Sequence, residues 1–255
     1  MNPLQRALIE KTGHDNGFEY AQVSPTVNVV KLASARHQAY ISVALALQSW
    51  RVKIETGPVH LLPELTRSFA HLQQTDAAFL ITSEGDLGLW MRRAAALAQA
   101  LPNQVVTDFE AQVGLALATL PADQIQNTEV LRMVRQRVGQ QTYRQALVNY
   151  WGGACSVTGL AITPALRASH AKPWAECVSD AERLDVFNGF LLSANLDALF
   201  DQYLISFSES GDLLVSATIC GEDQIRLGLV GALRLRWIAP GHQAYLAFHR
   251  GRFLG

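Results

Sequence analysis

The chain has 255 residues, 49% of them hydrophobic, and a formal net charge of −1, enough for two modest cores but with no global basic field, so any contact with nucleic acid must be local. Three cysteines, Cys155, Cys177 and Cys220, without a CxxC pair, argue against a disulfide framework or a zinc ribbon and fit a reducing compartment. The opening Met1 to Arg6 shows no basic-then-apolar leader and no run approaches the roughly 18 apolar residues of a membrane span, so a soluble cytoplasmic protein with no membrane partner is expected.

In chain order, residues 4–11 read as a short helix ending near Gly13, followed by strand-like stretches at 18–23 and 50–54. Residues 61–72, 87–101 and 109–120 have helical spacing, and 77–82 reads as a buried strand between two of them. The first part of the chain is therefore expected to be a mixed α/β domain. Pro121-Ala122-Asp123-Gln124 breaks the pattern, which puts the expected boundary near residue 125 and the domains at 1–125 and 126–255.

A helix predicted from Thr128-Glu129 runs to Tyr150-Trp151-Gly152-Gly153 and is expected to link the domains. It carries Arg132, Arg135, Arg137 and Arg144 with no acid among them. Such a run is either a solvated face or a set of phosphate contacts, to which Lys172 would add.

Residues 169–201 hold the densest chemistry: Ser169-His170-Ala171-Lys172-Pro173-Trp174, Phe187-Asn188-Gly189, and Asn195-Leu196-Asp197-Ala198-Leu199-Phe200-Asp201. One His, one Asn and a carboxylate/amide cluster in a compact segment form the inventory of a metal-dependent phosphodiesterase. Together with Cys155-Ser156-Val157-Thr158-Gly159, Arg183-Leu184-Asp185 and Gly189-Phe190-Leu191-Leu192, the segment resembles the HNH endonuclease family in the branch found in restriction-like proteins. The resemblance runs from about Arg135 through roughly half the chain.

That resemblance implies an α+β chain: an N-terminal mixed α/β domain of unknown family, a helical linker, and a ββα-metal nuclease domain. In that domain the first strand ends at the catalytic His, the second starts near Asn188, and a helix supplies metal ligands. Pro173 after His170 and the strand character of residues 190–192 agree with it. His170, whose unperturbed pKa of about 6.5 suits a general base, would activate water. Asn188 would orient the imidazole or brace the loop. Asp197 and Asn195 would offer oxygen ligands, with Ser169 and Asp201 in support. Ser169 stands where the family often has Asp, and the last His of the motif is missing, which favours Mg²⁺ or Mn²⁺ over softer ions.

The expected activity is divalent-metal-dependent DNA hydrolysis, in a restriction enzyme, including a modification-dependent one, whose first domain selects the target. DNA is the expected partner, with a homodimer allowed. The rival readings are a nuclease-dead DNA-binding protein and a defence effector gated by a signal on the first domain. His14, His37, His60 and His71 read as structural, His242 and His249 as surface packing, and Cys155 and Trp174 as core.

Overall fold

In the computed structural model, which describes residues 1–23, 28–74, 76–121 and 127–255, the first helix begins where the sequence supplies a cap. Asn2 Oδ1 accepts from the Gln5 amide while the Gln5 side chain accepts from the Asn2 amide, and Pro3 opens α1 (Pro3–Asp15). Four strands follow: β1 (Tyr20–Val23), β2 (Val29–Ala33), β3 (Tyr40–Ala46) and β4 (Ser49–Thr56). After α2 (Leu61–Ser68), β5 (Phe79–Ile81) closes an antiparallel sheet in the order β1-β2-β3-β4-β5. Val30, Val43, Val52 and Phe79 lie in one register row and are all buried, the inward half of the period-two alternation. Against the sheet pack α1 and α3 (Glu84–Ala100), the latter capped by Ser83 and burying Leu87, Trp90, Met91 and Leu97, and α2 packs on α3. Strands β2 and β3 add to the two strands expected before residue 60.

The chain divides into the units Met1–Gln104 and Val105–Gly255. The boundary expected near residue 125 falls among 122–126, outside the described residues. Helix α4 (Gln104–Ala118) groups instead with the second unit, because its Glu110 binds Arg135 at 2.7 Å and its Phe109 ring lies 4.9 Å under the same guanidinium.

Helix α5 (Thr128–Trp151), capped by Asn127 and ended by Gly152 in the left-handed conformation, is no free-standing linker. It buries Tyr143, Ala146, Leu147, Tyr150 and Trp151 and packs on the hairpin β6 (Leu166–His170) and β7 (Gly189–Ser193). A short α6 (Asp180–Arg183) lies in the long loop of that hairpin, and α7 (Ala194–Asp201) follows β7 directly. The hairpin β8 (Ile205–Phe207) and β9 (Leu213–Val215), then α8 (Gly221–Arg226) and α9 (His242–Arg250), complete the unit. Trp151 stacks on Trp237 at 4.3 Å, and Phe190, Phe200 and Phe207 form a contiguous aromatic cluster. Cys155 is fully buried, a small apolar filler in the same unit. Among the described residues, no helix is long and apolar enough to cross a membrane.

Candidate active site

Strand register places His170 opposite Gly189 at the loop end of the β6/β7 hairpin. Only glycine fits there: a Cβ at Gly189 would come within 1.9 Å of the Tyr143 hydroxyl oxygen and 2.3 Å of the Ser169 carbonyl. His170 Nε2 lies 2.9 Å from the carbonyl oxygen of Arg183. A carbonyl can only accept, so Nε2 carries the proton and Nδ1 is the basic nitrogen. The imidazole is sandwiched, with Tyr143 stacked on its face at 3.9 Å and the Trp174 ring edge-on at 5.7 Å. Burial pushes its pKa down to about 4, against the opposing effect of the Arg183 carbonyl, so the ring is neutral at physiological pH.

The Arg183 carbonyl is itself fixed. The side chain of Arg183 donates to the carbonyls of Trp174 at 3.2 Å and Cys177 at 2.5 Å and to Asp180 Oδ1 at 3.0 Å. Asn188, fully buried, holds the other side of the same loop. Its Oδ1 accepts from the Lys172 amide at 2.8 Å, and its Nδ2 donates toward the Lys172 and Glu182 carbonyls, both at 3.2 Å, and Cys177 Sγ at 3.4 Å. With the amide so engaged, the side chain braces the loop that aims His170.

His170 opens into a cleft of about 410 Å³, whose walls include Trp174, Asp201, Tyr203 and His249. Asp201, expected only as support, is thus on the cleft. Its carboxyl is pushed up to about 6, by burial first and then by the negative charge of Asp197 one helical turn before it. Asp197 Oδ1 accepts a hydrogen bond from Ser169 Oγ, which joins the two motif positions where the sequence departs from the family pattern. Asn195 does not line the cleft: its Oδ1 accepts from Ser193 Oγ at 2.7 Å and its Nδ2 donates to the Leu227 carbonyl at 2.9 Å. Among the described residues, no group of three or more His, Cys, Asp and Glu side chains is placed to hold a metal.

The basic residues are largely engaged within the protein. Arg135 bridges Glu110 and Asp180, both at 2.7 Å; Arg144 donates to the Leu166 and Thr163 carbonyls at 2.9 and 3.2 Å; and Lys172 pairs with Glu182 at 2.6 Å. Arg132 makes only the exposed pair with Glu129 at 3.0 Å, and Arg137 is exposed with no bound partner among the described residues. Two histidines read as surface are buried. His242 is 0% exposed, and His249, 1% exposed, lies against Phe200 at 3.8 Å, contacts the Phe200 carbonyl through Nε2 at 3.0 Å and faces Ser206 Oγ through Nδ1 at 2.9 Å. Tyr143 and His249 were not singled out as site residues because the partners that place them lie 27 or more positions away.

A hairpin and the helix packed on it hold a neutral histidine at the hairpin's loop end, over a cleft that also carries a carboxyl. The family model of HNH endonucleases matches residues 155–208, which take in β6, β7, α7 and β8, so this segment is similar to an HNH endonuclease domain. No curated protein matches the chain.

Proposed function

We propose that the protein is a divalent-metal-dependent DNA endonuclease in which His170 is the general base. The observation that carries this reading is the imidazole itself: Nε2 is tied to the Arg183 carbonyl, and Nδ1 remains as the base at a cleft that also carries Asp201. His170 Nδ1 takes the proton of the attacking water, and the Arg183 carbonyl stabilises the imidazolium that forms. The negative charge of a docked phosphodiester favours the protonated ring and so raises the basicity that burial depresses.

Asp197 and Asp201 would hold the cation. The raised Asp201 carboxyl fits this role, since two like charges one turn apart on α7 are relieved by a divalent ion. Two carboxylates suit Mg²⁺ or Mn²⁺, which keep water and phosphate oxygens among their ligands. When bound, such an ion supplies positive charge opposite the transition state and the leaving oxygen. Residues 1–104, with a core of their own, are assigned the selection of the target, in a restriction enzyme reading sequence or base modification.

The test is digestion of matched modified and unmodified plasmids with Mg²⁺ or Mn²⁺, against EDTA and against His170→Ala. Metal-dependent cutting that falls at least 100-fold in His170→Ala, with DNA still shifted in a gel, is expected. Equal cutting by the variant would remove His170 from the chemistry, and DNA binding without cutting under any metal would leave a nuclease-dead binder.

A further inference from the structure

We infer that Tyr143, on α5 and outside the segment that matches the family, is the positioning residue that sets the orientation of the His170 imidazole. The inference rests on the nuclease reading above. Three observations place Tyr143 behind His170 and out of reach of the substrate. The two rings are nearly parallel, at 18° and 3.9 Å between centroids, so Tyr143 forms the platform on which the imidazole lies. Tyr143 is 1% exposed and does not line the cleft. Its hydroxyl donates to the Asn188 carbonyl oxygen at 3.0 Å, and that same oxygen accepts from the amide of Ala171, the residue after His170, at 2.9 Å.

The consequence is geometric. A ring free to turn about its χ angles could present either nitrogen to the cleft, and the proton would sit on either one. Tyr143 fixes the plane of the imidazole while the Arg183 carbonyl fixes which edge faces inward, so Nδ1 alone points outward as a base. The platform is tied to the hairpin it serves: the phenol reaches the Asn188 carbonyl only because Gly189 leaves room for it, and Gly189 is the residue paired with His170. Burial pushes the Tyr143 hydroxyl well above its ordinary pKa, so it remains a neutral donor and takes no part in proton transfer. Helix α5 thereby belongs to the catalytic unit.

Two variants separate positioning from folding: Tyr143→Phe keeps the ring and loses the hydroxyl, and Tyr143→Leu loses the platform. Steady-state plasmid cleavage gives kcat and KM, and ¹⁵N chemical shifts of the histidine rings in metal-free protein give the tautomer. In the parent, His170 should be a single Nε2–H tautomer with its ring protons shifted upfield by the Tyr143 ring. Tyr143→Phe should retain both features and lose less than tenfold in kcat. Tyr143→Leu should lose about 100-fold in kcat with KM within threefold, as expected for a small misplacement of a reacting group, and show mixed tautomers.

A parent without the upfield shift, or with mixed tautomers, overturns the inference even if Tyr143→Leu fails to fold. So does a folded Tyr143→Leu with parental kcat, or with parental His170 shifts and lost activity. If the parent cuts no DNA, the nuclease reading fails, while the shifts and tautomers still report whether Tyr143 positions the ring.

Discussion

Asn188→Ala separates a brace from a chemical participant. The side chain is fully buried and makes three conventional hydrogen bonds, at 2.8, 3.2 and 3.2 Å, besides the contact with Cys177 sulfur. Truncation strands the Lys172 amide and the Lys172 and Glu182 carbonyls, each at about 1–3 kcal/mol where water cannot replace the lost partner. Allowing one of the three to find water, the loss is about 2–6 kcal/mol, a large part of the roughly 5–15 kcal/mol that holds a domain together. The loop then relaxes and carries the Arg183 carbonyl away from His170 Nε2, so cleavage should fall about 100-fold at a temperature where the variant is still folded. Urea unfolding followed by tryptophan fluorescence reads the first effect and single-turnover cleavage the second. Asn188→Asp should be equally damaging at pH 7, because a carboxylate cannot donate to two carbonyls, and less so in acid, where a protonated carboxyl regains one donor. An unchanged unfolding midpoint together with lost cleavage would refute the brace and make Asn188 a participant in the chemistry.

The raised carboxyl of Asp201 means that the folded state disfavours its ionisation, so its contribution to stability is best below the unfolded pKa of about 3.8 and is lost as pH rises toward about 6. Asp201→Asn should therefore melt higher than the parent at pH 7.5 without metal, lose that advantage below pH 4, and no longer be stabilised by Mg²⁺ or Mn²⁺; thermal scans with and without metal check all three. Among the arginines, Arg137→Ala should weaken DNA affinity on every sequence and lower the salt slope by about 0.9, one phosphate contact, whereas Arg135→Ala should mainly lower the melting point, since Arg135 already binds two carboxylates. A fragment of residues 105–255 should be more stable to urea than one of 129–255 by about 3 kcal/mol or more, because the shorter piece loses the buried Phe109 and Val113.

Local signals explain what could be read before the structure. The Thr128–Trp151 helix starts at a capping Asn127, contains no proline and ends at Gly152-Gly153, and the turn into α7 after Phe190-Leu191-Leu192 is visible as a switch in composition. His170 could be singled out because the residues around it fix its place at a strand end. Strand β3 could not, since Tyr40–Ala46 mixes apolar residues on both faces and its pairing with β2 and β4 is decided by tertiary contacts. Which of Asp197 and Asp201 meets the cleft could not be read for a related reason. Residues four apart share a helix face, and only the packing of α7 on the hairpin decides which carboxyl meets the cleft. Asn195 likewise could not be placed, because its amide is taken by the Leu227 carbonyl, 32 positions on.

The same long-range logic bears on how much of the chain the site requires. The matched segment supplies His170, Asn188, Asp197 and Asp201, and its own loop supplies the Arg183 carbonyl. The surfaces that hold those groups come from either side: Tyr143 on α5 lies under the imidazole, and His249 on α9 lies on Phe200 and reaches the Phe200 carbonyl, next to Asp201. Burial pushes His249 down to about 4, so it stays neutral and its Nε2–H continues to anchor the end of α7 across the pH range in which Asp201 ionises. A zinc-braced domain fixes its loops with metal–thiolate bonds; here two aromatic stacks and two buried hydrogen bonds from flanking helices do so. For that reason an imidazole and a carboxyl can face one cleft.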